Sequence, residues 1–257
     1  MTWQGRWWVV VGLAGTLLAA DRGEAQIVDT LGGWNDDAAG WSGRLGVTGS
    51  VSGGNTDVQS LSSAARAQWR GAPWRVRVLG SFRLEEANDV RSREESLGHV
   101  RVARVDDSAG ESAWAPFAFG QAQRNPLRRL ETRLLAGAGV EWVARRTEGT
   151  RISVGASPML EYERVVDEGE ETRGRLSTFV QATSNVSADL TLSLQGFYQP
   201  RLNRASDYRT SLTGTARTRI AGPLSFLARA TWERDDDPPS GVEPDDWEVS
   251  LGATVDL

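Results

Sequence analysis

The chain has 257 residues, with 29 basic and 34 acidic side chains, no cysteine and a hydrophobic fraction of 39%. No lysine occurs, so every basic residue is arginine. The near balance of charge excludes a dedicated nucleic-acid binder, the missing cysteine excludes a disulfide framework and thiolate metal sites, and the modest hydrophobicity disfavours a helical membrane protein while suiting a transmembrane β-barrel, where only alternate strand residues meet lipid.

Arg6 is followed by an apolar run from Trp7 to Ala20, with small residues at Gly23 and Ala25. This layout predicts a secretory signal peptide over 1–25, cleaved after Ala25. The run is shorter than the roughly 20 residues a transmembrane helix needs. Residues 26–40, with Asn35-Asp36-Asp37, read as a periplasmic leader without chemistry of its own.

From Trp41 to the C-terminus the dominant period is two, which assigns 41–257 to one all-β domain. In Trp74 to Glu85, Trp74, Val76, Val78, Phe82 and Leu84 share one face, and Arg75, Arg77, Arg83 and Glu85 share the other. Comparable alternation runs over Trp41–Val51, Arg133–Trp142, Arg151–Tyr162, Asp189–Tyr198, Tyr208–Ile220, Leu224–Glu233 and Trp247–Leu257. Four less regular stretches, Val58–Arg70, Ser92–Val105, Trp114–Arg124 and Arg173–Asn185, complete twelve strands. An even strand number is the rule for bacterial single-chain barrels. The predicted fold is therefore a twelve-stranded transmembrane antiparallel β-barrel of the outer membrane.

A soluble sandwich also alternates. Three features favour the barrel: charges stand deep within strands; no helix is on offer to cover the apolar face; and loops after odd strands read longer than those after even strands, placing both termini in the periplasm. Aromatic residues also sort by depth. Trp41, Trp69, Trp74 and Trp142 fall at one end of their strands, and Tyr162, Tyr198, Tyr208, Trp232 and Trp247 at the other, as two membrane-interface girdles would.

The polar face defines the candidate lumen lining: Arg75, Arg77, Arg83, His99, Arg101, Arg133, Glu141, Arg151, Glu161, Arg209, Arg217 and Arg229, with Arg175, Arg219, Glu85, Glu131 and Glu233 in phase. Unpaired burial of such charges is costly, so the space is either a constricted arginine-lined pore or a plug of paired charges. An open pore with an arginine excess favours anions.

Trp41-Ser42-Gly43, Gly49 and Gly53-Gly54-Asn55-Thr56, then Arg133 with Gly137-Ala138-Gly139, then Asp207-Tyr208-Arg209, then Asp237-Pro238-Pro239-Ser240-Gly241-Val242 before Asp245-Asp246 resemble, in order, the family called domain of unknown function 481, whose members are labelled salt-induced outer-membrane proteins. The resemblance implies an outer-membrane barrel without established catalysis, and brings no site residues. Leu257 departs from the aromatic end expected of a barrel assembly signal.

No catalytic, cofactor or metal site emerges. His99 is the only histidine and has no serine two residues away on its own face, as a barrel-wall hydrolase would want. The acidic runs Asp235-Asp236-Asp237 with Glu243, Asp245 and Asp246, and Asp167 to Glu171, lack EF-hand spacing and read as solvated loops. The resulting expectation is a non-enzymatic, porin-like barrel with a structural or narrow-channel role. Its expected partners are outer-membrane lipid, lipopolysaccharide and, during insertion, the barrel-assembly machinery, without nucleic acid. The rival readings are a hydrolase on the barrel wall and a soluble periplasmic β-barrel enclosing an apolar ligand.

Overall fold

The computed structural model describes residues 39–52, 58–88, 90–104, 113–126, 129–147, 149–222, 224–238 and 243–255. The predicted signal peptide, nearly all of the leader, the Gly53–Thr56 turn, the tip of the last loop and Leu257 lie outside them. The strands are β1 (Gly40–Ser52), β2 (Val58–Gly71), β3 (Trp74–Ala87), β4 (Val90–Arg104), β5 (Ala113–Asn125), β6 (Leu130–Arg146), β7 (Thr150–Val165), β8 (Gly169–Asn185), β9 (Leu190–Arg201), β10 (Arg204–Ala221), β11 (Leu224–Asp235) and β12 (Asp245–Val255). They form one antiparallel sheet in the order β1 to β12, each strand paired with its neighbours in sequence. The twelve expected strands are all there. We call the rim where β1 begins and β12 ends the terminal rim, and the other the far rim.

The expected difference in loop length largely disappears. At the far rim β3 ends at Ala87 and β4 starts at Val90; β9 ends at Arg201 and β10 starts at Arg204. The β7–β8 connection is only Val166 to Glu168. Its turn is made by Asp167 at φ 64° and Gly169 at φ 89°, and the Glu168 amide donates to the Val165 carbonyl at 3.2 Å. Charged residues that resemble loop in the sequence continue the strands, because their partners across the ladder are charged too: Arg164 opposes Glu170, and Glu163 opposes Glu171.

The sheet is rolled. Arg101 on β4 lies 5.4 Å from the Phe179 ring on β8. Four strand steps of about 4.8 Å would hold those backbones about 19 Å apart in a flat sheet, beyond the reach of the two side chains. Only strong curvature brings the concave face together.

What that face carries inverts a soluble protein. Among the described residues, twenty-four buried side chains are polar or charged and ten are apolar. On the convex face Trp41 is 76% exposed and Leu251 69%, and Val78, Leu160, Leu194 and Val249 are exposed with them. β3 shows the alternation directly: Arg75 and Arg77 are buried, Trp74 and Val78 exposed. This is the reverse of the arrangement a soluble barrel around an apolar ligand requires.

Candidate functional site in the barrel interior

All twelve candidate lining residues stand on the concave face. Arg75, Arg77, His99, Arg101, Arg133, Glu141, Glu161 and Arg209 are buried; Arg83, Arg151, Arg217 and Arg229 are half-buried. One further expectation fails: Glu131 is exposed, because a bulge between Leu130 and Thr132 turns it off the inward phase. Arg219 keeps the inward register, opposite buried Ser225, and is exposed where β10 nears the terminal rim.

Toward the far rim, alternation along β6, β7, β8 and β10 aims four strands' charges at one point. Glu161, on β7, is the hub. Arg133 and Arg175 each donate to it from Nε at 2.6 Å, and Arg209 also donates to it. Arg175 continues to Oδ1 of Asp207 at 2.7 Å and to the Gln199 carbonyl at 3.0 Å. Arg209 continues to Oδ2 of Asp235 at 2.7 Å and to Glu163 at 3.2 Å. Arg173 joins Glu163 at 3.3 Å and Glu171 at 2.7 Å, and Arg201 joins Glu171 at 2.6 Å and Asp207 at 3.4 Å. Five arginines thus meet five carboxylates. Side chains of Arg133 and Arg175 are 1% and 0% exposed. Charges so deeply withdrawn persist only when neutralised and hydrogen-bonded, and this cluster is both. It forms a clamp across six strands.

The clamp also revises the acidic loops. Asp235 is buried beneath the last loop on Arg209. Arg234 holds Asp245 at 2.6 Å and Asp236 at 3.3 Å, and Arg129 reaches Glu168 at 3.3 Å. The carboxylates are largely paired instead of solvated like charges.

Toward the terminal rim the balance differs. Arg101 donates to Glu141 at 3.0 Å, and Arg151 donates to the other oxygen of the same carboxylate at 3.0 Å. Arg77 donates to Oε1 of Gln68 at 2.8 Å, and Arg75 is buried nearby. Here Arg75, Arg101 and Arg151 lie around the one Glu141 carboxylate. The far rim thus gathers many paired charges, and the terminal rim gathers arginines around a single shared carboxylate.

Between them lies an aromatic layer that period-two reading does not single out. The Phe117 and Phe179 rings sit 5.9 Å apart, and Phe179 and Phe197 6.0 Å. The Arg101 guanidinium lies 3.7 Å over Phe117. Phe117 on β5 and Phe179 on β8 meet above β6 and β7, where Gly139 and Gly155 face inward. A Cβ on Gly139 would stand 2.6 Å from the Ser157 Cβ, and one on Gly155 would run into the Phe179 ring. The glycines thin the wall so that the rings lie on backbone. Along β5 both parities are apolar (Trp114, Pro116 and Ala118 against Ala115, Phe117 and Phe119), so the sequence does not tell which faces in.

His99 donates from Nδ1 to Oε1 of Gln121 at 3.0 Å and stacks on Phe119 at 5.9 Å. Its hydrogen-bonding neighbour is an amide, which supplies neither a nucleophile nor an orienting carboxylate.

The girdle residues take the expected convex positions. Trp41 opposes Trp69, and Trp232 opposes Trp247. The Tyr198 and Tyr208 rings are 5.6 Å apart. Trp114 belongs with the terminal-rim set: its ring stacks on Trp142 at 6.0 Å.

An inside-out, rolled antiparallel sheet of twelve strands with paired charge on the concave face is the architecture of a transmembrane β-barrel. The chain belongs to the family described as "Protein of unknown function, DUF481", whose profile matches residues 45–257. A solved structure titled "NanC porin structure in rhombohedral crystal form" is similar in fold, with a TM-score of 0.51 and 10% sequence identity, over 84% of this chain and 98% of that one. No curated protein matches in sequence.

Proposed function

We propose that the chain closes into a twelve-stranded barrel in the outer membrane and serves there as a narrow, non-enzymatic channel with a preference for small anions. One observation carries the reading: buried side chains are mainly charged or polar, while large apolar side chains are exposed. Such a surface is favourable only where the outside is hydrocarbon and the inside is wet. The arginine excess around Glu141 is the physical basis for anion preference. The porin-like fold of the similar solved structure supports the same class.

In this reading residues 1–25 direct export and are removed after Ala25. The convex face contacts outer-membrane lipid and lipopolysaccharide after insertion by the barrel-assembly machinery. The test is reconstitution of the mature chain in planar bilayers under a salt gradient. A reversal potential of the sign set by chloride is expected. A cation-signed potential, or absence of conductance from protein shown to be folded by heat-modifiable gel migration, would overturn the channel role.

A further inference from the structure

The two sides of the interior are packed differently. On β4 to β7 the concave face is filled, with Arg101, Phe117, Glu141, Ser157 and Met159 all buried. On β8 to β11, toward the terminal rim, Gln181, Thr183, Ser193, Thr215, Arg229 and Thr231 stay half-open to solvent, with Gln195 and Thr213 buried among them, and the chemistry is different. The ladder sets Thr183 opposite Ser193, Ser193 opposite Thr215, and Thr215 opposite Arg229. One step deeper it sets Gln181 opposite Gln195, Gln195 opposite Thr213, and Thr213 opposite Thr231. The result is a band of hydroxyls and amides two rows deep, crossing four adjacent strands.

The band has defined edges. Arg151 stands opposite Thr183 on its β7 side, so the outer row runs from one arginine to another. The Phe179 and Phe197 rings lie above the deeper row. Long hydrogen bonds join the hydroxyls across the ladder, Thr183 to Ser193 and Thr213 to Thr231, each at 3.4 Å. The Gln195 side chain is over nine-tenths buried, and its Nε2 donor has no partner among the described residues. A buried amide donor without a partner calls for one.

Resting on the channel reading above, we propose that this band is the solute track: a small hydrated anion passes along β8 to β11, exchanging hydration water for Ser, Thr and Gln groups between Arg151 and Arg229, while the β4 to β7 side is a solid wall. Uncharged donors suit transit, because they replace water without holding an anion as firmly as a guanidinium does.

The chain has no cysteine, so single thiols report unambiguously. Ser193→Cys, Thr215→Cys and Thr183→Cys, each confirmed folded by heat-modifiable migration, are exposed to anionic and cationic methanethiosulfonate reagents in liposomes. Labelling is read by mass, and conductance in bilayers. Ser157→Cys, on the filled side, is the reference. Band thiols should label at least about tenfold faster than the reference, faster with the anionic reagent, and labelling should block current. Equal labelling of Ser157→Cys, or unlabelled band thiols in a barrel whose parent conducts, overturns the track and leaves the channel standing. Labelled band thiols in a barrel whose parent is silent overturn the channel and leave a wet band. Unlabelled thiols in a silent barrel overturn both.

Discussion

Arg175 donates from Nε to Oε2 of Glu161 over 2.6 Å, and neither side chain retains any exposure to solvent. Two opposite charges can be dehydrated together in this way because each has other partners. Arg133 and Arg209 complete the Glu161 carboxylate, and Asp207 completes the Arg175 guanidinium. The pair is the centre of a charge-balanced clamp that ties β6 through β11 together at the far rim.

Glu161→Gln should therefore be strongly destabilising, since it leaves three guanidinium groups around a neutral amide. Breaking one partner of a buried ion network costs about 3–5 kcal/mol. The expected outcome is a clear fall in the temperature at which the folded gel band converts to the unfolded one. Arg164→Gln, which disrupts an exposed pair with Glu170, should shift it far less, because solvent screens that pair.

Gly139→Val tests the thin wall under the aromatic layer. Any Cβ there falls within 2.7 Å of the Ser157 Cα, so backbone must move. Overpacking of this kind costs about 1–3 kcal/mol. Reduced yield of folded barrel and a lower conversion temperature are expected. Gly98→Ala, at an inter-strand position where an added Cβ meets nothing within 4 Å, should be tolerated.

The stacked Trp114 and Trp142 rings offer a measure of the girdle. A double-mutant cycle to alanine should return a coupling of about 0.5–1.5 kcal/mol. Brominated lipids with shallow bromines should quench these tryptophans more than deep ones do; stronger quenching by deep bromines would contradict an interfacial position.

Charge selectivity should follow Arg101 and Arg151, which share the two oxygens of Glu141. Replacing Arg151 by Gln removes one of the cations facing the interior and should move the reversal potential toward zero. Because Arg101 still holds Glu141, the folded state should persist. An unchanged potential would place ion selection elsewhere.

Much of the site is legible in the order of residues alone. Period two places all twelve lining positions, His99 among them, on one face, since successive strand side chains must point oppositely. The missing members have identifiable causes. Glu163, Asp207 and Asp235 lie just past the regular alternation, yet the strands run on to the turns and carry them inward. Phe117 is silent in a strand whose two faces are equally apolar. Glu131 fails because a bulge is invisible to a fixed period.

The sequence by itself determined the all-β class, the strand number, the inside-out orientation and the family, because those depend on local periodicity and on which residue types tolerate lipid or water. Which inward charges meet was decided only by the tertiary structure. Glu161 and Arg209 stand three strands apart, and their contact depends on how tightly the sheet curls. The same curvature separates a filled wall from a half-open one, a distinction no spacing along the chain encodes.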